Sequence, residues 1–249
     1  MPYTPRFVTA DSFQEAWSLV ASILVESKWE LRNLMVHIKN PILYDEERNA
    51  LQNRFASDCG ILAPKQVAYT IFPHNLYKNL ANKDADKLFD LYNRKRGLYD
   101  KLHYLKPNGW GTYFRRMTHY EEADGSIVNQ LKNVIDSAKE NDTYKAAHTI
   151  IIQKPAARYL RGGPCLNYIA LQCDKIDGIP SLGLLAVYRN HDFLERAYGN
   201  YLGLCNLQQF VAKQVGRECG PLTCISSRAY VDDKKCNLKD FLASLKLQP

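Results

Sequence analysis

The strongest constraint on the fold is a pair of apolar segments in the second half of the chain, joined by a short turn. The segments read CLNYIALQC and SLGLLAVYR, and Asp177-Gly178 lies between them. Apolar, β-branched and aromatic residues on both sides of such a turn predict two strands. Residues 199–215 then have the apolar pattern of a long amphipathic helix, and LTCISSRAYV predicts another strand.

The first half of the chain predicts further helices and strands. Residues 11–27 open with a capping Asp or Ser and carry apolar residues at helical spacing. We also expect helices at 64–80, 84–94 and 129–140, and strands at 34–38 and 148–153. Strands and helices mixed within 249 residues predict one α+β domain, residues 1–249, with a mixed sheet and packed helices.

The net charge of +7 raises the question of a nucleic-acid partner. The basic residues are spread along the chain in short clusters, and no helix-turn-helix, zinc-finger or RNP-type signature accompanies them. A solvated surface explains most of this charge. A small phosphate-bearing ligand explains the rest better than a duplex does, so we expect no nucleic acid polymer as partner.

The apolar runs and the cysteines indicate where in the cell we expect the protein to be. No apolar run approaches the length of a membrane span, so we expect no membrane partner. The start, MPYTPRFVTADSF, lacks a basic region followed by an apolar stretch, so we expect a cytoplasmic protein. The seven cysteines form no CxxC pair, which disfavours a zinc site or a redox pair. In a reducing cytosol we expect all seven to be free thiols.

Four candidate catalytic residues lie in one segment. Cys165 follows a Gly-Gly-Pro turn at the start of a strand, and Arg189, Asp192 and Asn200 follow it. A cysteine attacks as a thiolate, and a nearby guanidinium lowers the pKa of its thiol. Arginine also binds phosphate through a planar fork of donors, and asparagine can bind a base edge. This combination predicts covalent chemistry on a nucleotide.

Each of these residues also has an ordinary structural interpretation. Cys165 could be a buried strand cysteine, and Arg189 could be a strand-end residue paired with Asp192. Asp192 could cap the turn that follows it, and Asn200 could be the N-cap of the long helix.

The segments GGPCLNYIALQ, VYRNHDFLERAYGN and ISSRAY resemble the C-terminal half of thymidylate synthase and its pyrimidine hydroxymethylase relatives. That family has Pro-Cys on a strand, then Arg-x-x-Asp, then Asn eight residues after the Asp. The step from Asp192 to Asn200 keeps this spacing. Upstream, YNRKRGLYDKLHYLKPNGWGTYFRRM and RNLMVHIKNP resemble the family's aromatic-Gly segment and N-terminal strand, so the resemblance covers roughly residues 30–232.

The resemblance implies a thymidylate synthase-like fold and a role for each matching residue. The thiolate of Cys165 would attack C6 of a pyrimidine nucleotide or nucleoside, and Arg189 would bind a phosphate. Asp192 would bind the pterin of a folate donor, methylenetetrahydrofolate, and Asn200 would bind the base edge. Arg32 would reach the phosphate. Tyr230 would contact the sugar, and the protein would form a homodimer through the face of its sheet.

Several positions depart from the family pattern. The closing His-x-Tyr reads Arg228-Ala229-Tyr230, and the added charge would suit an extra anionic group or a different sugar. The arginine pair that crosses the dimer interface falls on Tyr144-Lys145, so Lys145 leaves at most one positive charge.

Two departures concern the reaction itself. The family glutamate that organises proton transfer falls near Lys65-Gln66, where no carboxylate is found. The tyrosine that helps to remove the C5 proton appears as Trp110, which only donates hydrogen bonds and cannot act as a base. Substitutes for it would be Tyr69, His74 or Tyr113. The chain also ends in LASLKLQP, unlike the apolar tail that closes over folate.

Two functional hypotheses follow. The first is a divergent enzyme that transfers a one-carbon unit to C5 of a pyrimidine nucleotide or nucleoside, as a methylase or hydroxymethylase, without standard dTMP synthesis. The second is a repurposed fold that binds a nucleotide or a partner protein without turnover. A peptidase built on Cys165 and His191 is a weaker third, because no spacing supports an orienting third group.

Overall fold

The structure is a computed structural model that describes residues 4–95, 111–141, 148–154, 163–232 and 236–246. The strands are β1 (Arg6–Ala10), β2 (Glu30–Ile38), β3 (Tyr120–Glu121), β4 (Ile127–Val128), β5 (Thr149–Ile151), β6 (Leu166–Ile176), β7 (Ile179–Tyr188), β8 (His191–Asp192) and β9 (Glu218–Tyr230). The helices are α1 (Phe13–Glu26), α2 (Glu46–Asp58), α3 (Pro64–Ile71), α4 (His74–Lys78), α5 (Ala85–Arg94), α6 (Tyr113–Thr118), α7 (Gln130–Glu140), α8 (Ala197–Val215) and α9 (Leu238–Lys246).

The described strands form one mixed sheet and a small hairpin. The main sheet has the order β1-β2-β9-β7-β6-β5, and β8 pairs with β9. The β1–β2, β7–β9 and β8–β9 pairs are parallel, whereas the β2–β9, β6–β7 and β5–β6 pairs are antiparallel. Helices α1 and α8 both contact this sheet. The expected α+β class with a mixed sheet is therefore confirmed.

The turn between β6 and β7 has the backbone that its sequence predicts. Asp177 and Gly178 have φ angles of 52° and 82°, in the left-handed region. Two-residue hairpin turns favour this conformation because its twist matches that of the flanking strands, and Asp-Gly tolerates it. Ile176 and Ile179, on either side of this turn, form the last residue pair between β6 and β7.

Helix α8 reaches α3 through two glycines. A Cβ atom placed on Gly199 would lie 2.5 Å from Cβ of Val67. A Cβ atom placed on Gly203 would lie 2.9 Å from the carbonyl oxygen of Ala68. Both distances are shorter than a side chain tolerates, so the two glycines permit the close helix packing that brings α3 beside the N-terminal turns of α8.

Some boundaries differ from the sequence expectation. The helix expected over 64–80 is two helices, α3 and α4, separated at Phe72-Pro73. The strand expected at 34–38 begins earlier, at Glu30, and the long helix begins at Ala197. Strands β1, β3, β4 and β8 and helices α2, α6 and α9 were not predicted. Helix α2, EERNALQNRFASD, is polar on most of its surface and gives little apolar periodicity.

One face of the main sheet carries a continuous apolar row. The row crosses all six strands of the main path in register and consists of Phe7, Met35, Ile225, Val187, Tyr168 and Ile151. Phe7 is 65% exposed, Met35 is 37% exposed and Ile151 is 43% exposed. Large apolar residues in an exposed cross-strand row are typical of a contact surface.

The expectation of seven free thiols is wrong. Cys59, at the C-terminal end of α2, forms a disulfide with Cys236, just before α9, and the two Cα atoms are 6.0 Å apart. Phe241 of α9 stacks on Phe55 of α2, with ring centroids 4.3 Å apart. The fold brings together two positions separated by 177 residues, and local spacing contains no signal for such a pair.

Among the described helices, none combines the length and the apolar composition that a membrane crossing requires.

Candidate functional site

Cys165 lies at the entrance to β6, directly after a tight turn. Gly163 has a φ of 76°, a left-handed conformation that glycine tolerates best. The carbonyl oxygen of Cys165 accepts a hydrogen bond from the backbone N–H of Arg189, at 2.9 Å. The thiol is half-buried and takes no part in the disulfide. It is therefore a cysteine with access to solvent, held at the end of a strand.

The electrostatic environment of Cys165 differs from the sequence expectation. Burial raises the pKa of its thiol, and the charges of Arg189 and Arg196 oppose this shift, while the charge of Asp192 adds to it. The net direction is upward, so the expected lowering of the pKa is wrong. Desolvation disfavours the thiolate more strongly here than the two guanidinium groups favour it.

Tyr113, at the start of α6, lies against the backbone of Cys165. Its hydroxyl oxygen accepts hydrogen bonds from the backbone N–H groups of Cys165, at 3.2 Å, and Leu166, at 3.5 Å. Burial raises the pKa of Tyr113 above its usual range. Among the three substitutes named for the family tyrosine, Tyr113 is thus placed beside the cysteine. Tyr69 and His74 line a cavity of about 320 Å³ between α3, α4 and α8.

Arg189 braces the turn that precedes Cys165. Its Nε donates a hydrogen bond to the carbonyl oxygen of Pro164, at 3.1 Å. This contact uses one of the five donors of the guanidinium group. Arg189 therefore has a structural role in addition to its effect on the thiol.

Asp192 caps the turn that follows it, as its ordinary interpretation predicts. Its Oδ1 accepts hydrogen bonds from the backbone N–H groups of Leu194, at 2.9 Å, and Glu195, at 3.0 Å. Burial raises the pKa of Asp192, whereas these hydrogen bonds and the charge of Arg196 lower it. Within the described part of the chain Oδ2 makes no hydrogen bond, so one carboxylate oxygen remains for a ligand.

Asn200 does not begin the long helix, so its interpretation as an N-cap is wrong. The N-cap is Arg196, and Asn200 is one turn inside α8, where its backbone N–H donates to the carbonyl oxygen of Arg196. The side chain is 4% exposed, and its Nδ2 lies 3.2 Å from Nε2 of His191.

Arg228 and Arg32 lie directly opposite each other on β9 and β2 and share a carboxylate. Nε and Nη2 of Arg228 donate to Oε2 of Glu30, at 2.9 and 2.6 Å, and Nη2 of Arg32 lies 2.7 Å from Oε1. The two guanidinium groups lower the pKa of Glu30. Arg228 also donates to Oδ1 of Asn190, at 3.2 Å.

Tyr230 links this ion cluster to the cysteine. The guanidinium group of Arg228 stacks over its ring, 4.2 Å from the centroid. Burial raises the pKa of Tyr230, the charges of Asp192 and Cys165 raise it further, and a hydrogen bond to Asn190 lowers it. Tyr230 is thus close enough to feel both charges, and it lies between the two parts of the site.

The structure therefore groups Cys165, Arg189, Asp192 and Tyr230, and places Asn200 on the helix that follows Asp192. Arg32 and Arg228 converge on Glu30, whereas the sequence interpretation placed them with Arg189 on one ligand anion. Trp110 and Lys145 lie outside the described residues.

Sequence reasoning missed Arg196 and Glu30. Arg196 lies in the run RNHDFLERAYGN, and no predicted strand or helix contains both Arg189 and Arg196, so their spacing gave no signal. Glu30 precedes Arg32 by two residues, which places both side chains on the same face of a strand. Extending the predicted strand by four residues would have revealed that pair.

Over about half of its length, the chain is similar to curated proteins. No protein-family model matches the chain. Curated proteins from Methanosarcina mazei, Methanosarcina acetivorans and Methanosarcina barkeri, each named "Putative thymidylate synthase", are 29%, 32% and 30% identical to it. These alignments cover 49% of this chain and 52% of each relative, so the chain spans about half the length of the curated relatives it matches. They support a distant thymidylate synthase-like relationship.

Proposed function

We propose that this chain is a divergent thymidylate synthase-like enzyme of a single domain, residues 1–249. It transfers a one-carbon unit to C5 of a pyrimidine nucleotide or nucleoside through a covalent adduct on Cys165. The observation that carries the proposal is the group of side chains around this thiol, namely Tyr113, Arg189, Arg196, Asp192 and Tyr230. The relationship to the Methanosarcina proteins supports the substrate class.

Cys165 would act as the nucleophile. Its thiolate forms a bond to C6, and the electron pair of the C5–C6 double bond moves towards C5 and O4, so C5 becomes nucleophilic. Covalent activation of this type divides one difficult step into easier ones. After transfer, C5 loses its proton and the thiolate leaves as the double bond forms again. The Tyr113 hydroxyl, held against the backbone of Cys165, would relay that proton by passing on its own O–H proton as it receives the one from C5, and it stays a neutral phenol because burial raises its pKa.

Positive charge near the thiol would bind the phosphate of the substrate. Arg189 and Arg196 both act on the thiol of Cys165, so an anion placed between them lies beside the nucleophile. We also propose Arg32, Lys145 and Trp110 as substrate-binding residues, Trp110 through the N–H donor of its indole. Arg228 and Arg32 share the one carboxylate of Glu30, so this cluster keeps a net positive charge that can still attract an anionic group of the ligand.

Methylenetetrahydrofolate is the proposed donor, and the residues present fit it at one position. Asp192 keeps one carboxylate oxygen without a hydrogen bond to any described residue, and that oxygen can accept an N–H group of a pterin. When bound, this group supplies a one-carbon unit that is ready to react with C5. The role of Asp192 is to hold and orient it.

A homodimer through the apolar row of the sheet completes the proposal. The row crosses six strands, and stable dimers bury roughly 2,000 Å² or more of mainly apolar surface. Val187→Lys, at the centre of the row, is expected to produce monomers at micromolar concentration in sedimentation velocity. Ile179→Lys, an exposed residue at the tip of the β6–β7 turn, serves as the control and should leave the dimer intact. A monomeric wild-type protein would contradict the interface.

A second function, nucleotide binding without turnover, is favoured by the upward shift of the pKa of Cys165. Mass spectrometry separates the two. Incubation with dUMP and methylenetetrahydrofolate is expected to yield a C5-substituted product, and a sample quenched during turnover should carry the mass of the nucleotide on the peptide that contains Cys165. Binding of dUMP in calorimetry with neither added mass nor product would support the second function. Absence of binding would contradict both.

A further inference from the structure

A buried chain of polar side chains connects α8 to the middle of the sheet. Nδ2 of Asn200 lies 3.2 Å from Nε2 of His191, and Nδ1 of His191 lies 3.0 Å from Oγ of Ser226. A further hydrogen bond joins Ser226 to the sulfur of Cys224. These four residues are at most 4% exposed. Polar groups buried at this depth are costly unless their hydrogen bonds are satisfied, so the order of donors and acceptors matters.

The amide of Asn200 determines which atoms of this chain donate and which accept. The Nδ2 group of asparagine only donates, so Nε2 of His191 must accept. A neutral imidazole with an accepting Nε2 carries its proton on Nδ1, which donates to Oγ of Ser226. Burial lowers the pKa of His191 to about 3, so the ring stays neutral over the physiological range.

Aromatic neighbours keep the ring of His191 from turning over. Tyr188 stacks on one face, with the centroids 4.1 Å apart and the planes at 2°. Tyr201 meets the ring edge-on, at 5.6 Å and 84°. This packing favours the ring orientation in which Nε2 is directed at Asn200. A reversed amide would place Oδ1 of Asn200 against the lone pair of Nε2, an unfavourable contact between two acceptors.

This arrangement of donors and acceptors limits which base edge the amide of Asn200 can bind. Uracil presents an acceptor at O4 beside a donor at N3, whereas cytosine presents a donor at N4 beside an acceptor at N3. An amide that is free to reverse can match either edge, and an amide held in one orientation matches one of them. Oδ1 of Asn200 makes no hydrogen bond to another described residue, so it remains for this contact.

We propose that His191 and Ser226 are positioning residues that hold the amide of Asn200 in one orientation, so that the site binds uracil or cytosine nucleotides but not both. The inference rests on the proposed function, because it requires a pyrimidine at Asn200. In this proposal His191 and Ser226 determine base selectivity without contacting the ligand.

The test compares dUMP and dCMP by calorimetry, with inorganic phosphate as the reference ligand. Wild-type protein should bind one nucleotide about 5- to 150-fold more tightly, the ratio expected for one buried group left without its hydrogen bond. Ser226→Ala removes the acceptor for Nδ1–H, allows the other tautomer, and should bring this ratio towards one without changing phosphate affinity. Ser226→Thr keeps the hydroxyl and should retain the ratio.

Ser181→Ala is the matched control, because Ser181 is also buried in the sheet and its hydroxyl donates to the carbonyl oxygen of Ile179. Nitrogen NMR of wild-type protein reads the tautomer of His191 without any variant, and a proton on Nδ1 is expected at pH 6 to 8. A proton on Nε2, equal affinities in wild type, or an unchanged ratio in Ser226→Ala overturns this inference alone. Failure of both nucleotides to bind overturns the proposed function with it.

Discussion

Replacing Cys165 by serine is expected to lower the rate of one-carbon transfer at least about 1,000-fold, because a hydroxyl has no ionised fraction comparable to that of a thiol. The substitution removes the S–C6 bond on which the activation of C5 depends. The fold should be preserved, since serine fits the space of cysteine and the hydrogen bonds made by the backbone of this residue remain. Turnover assays with dUMP and methylenetetrahydrofolate measure the loss, and calorimetry checks that the nucleotide still binds.

Cys219→Ser is the matched control, because Cys219 is also a half-buried thiol, at the start of β9. Its turnover should equal that of the wild type. Full activity of the Cys165→Ser protein would contradict a covalent mechanism.

The pH dependence of alkylation tests the state of the same thiol. Because burial raises the pKa of Cys165, its thiolate fraction should keep increasing as the pH passes through the ordinary thiol range near about 8.5. Cys165 should nevertheless react with iodoacetamide faster than Cys205, which is 1% exposed and whose pKa burial also raises. Equal rates at the two cysteines would count against an accessible nucleophile.

Opening the Cys59–Cys236 disulfide is expected to lower the free energy of unfolding by about 2–5 kcal/mol. The bond joins positions 177 residues apart, so its removal returns a large amount of chain entropy to the unfolded state. Urea denaturation of the Cys59→Ser/Cys236→Ser protein, beside the wild type, measures the difference.

Reducing agent supplies the control for that measurement. Dithiothreitol should destabilise the wild type by a similar amount and leave the double variant unchanged. If both proteins unfold at the same urea concentration without reductant, the packing of α9, including the contacts of Phe241 with Phe55 and Trp17, holds this helix in place without the disulfide.

Local sequence determined the elements whose residues interact within a short distance along the chain. The Asp177-Gly178 turn fixes the β6–β7 pair, because both positions adopt left-handed backbone that this dipeptide tolerates. Ser12 and Asn129 accept hydrogen bonds from backbone N–H groups three residues later, as helix N-caps do, and α1 and α7 begin directly after them. The spacing of Cys165, Arg189 and Asp192 predicts one site, and in the structure the charges of Arg189 and Asp192 both act on the thiol of Cys165.

Only the tertiary structure decided which distant groups meet. Tyr113 reaches the backbone of Cys165 across 52 residues, and Arg228 reaches Glu30 across 198 residues. Neither pair leaves a periodic signal, because contacts between elements depend on strand order and helix packing. The protonation of the site was decided in the same way. The sequence suggests that Arg189 lies near Cys165. Whether the pKa of the thiol shifts up or down, however, depends on how completely the fold buries it.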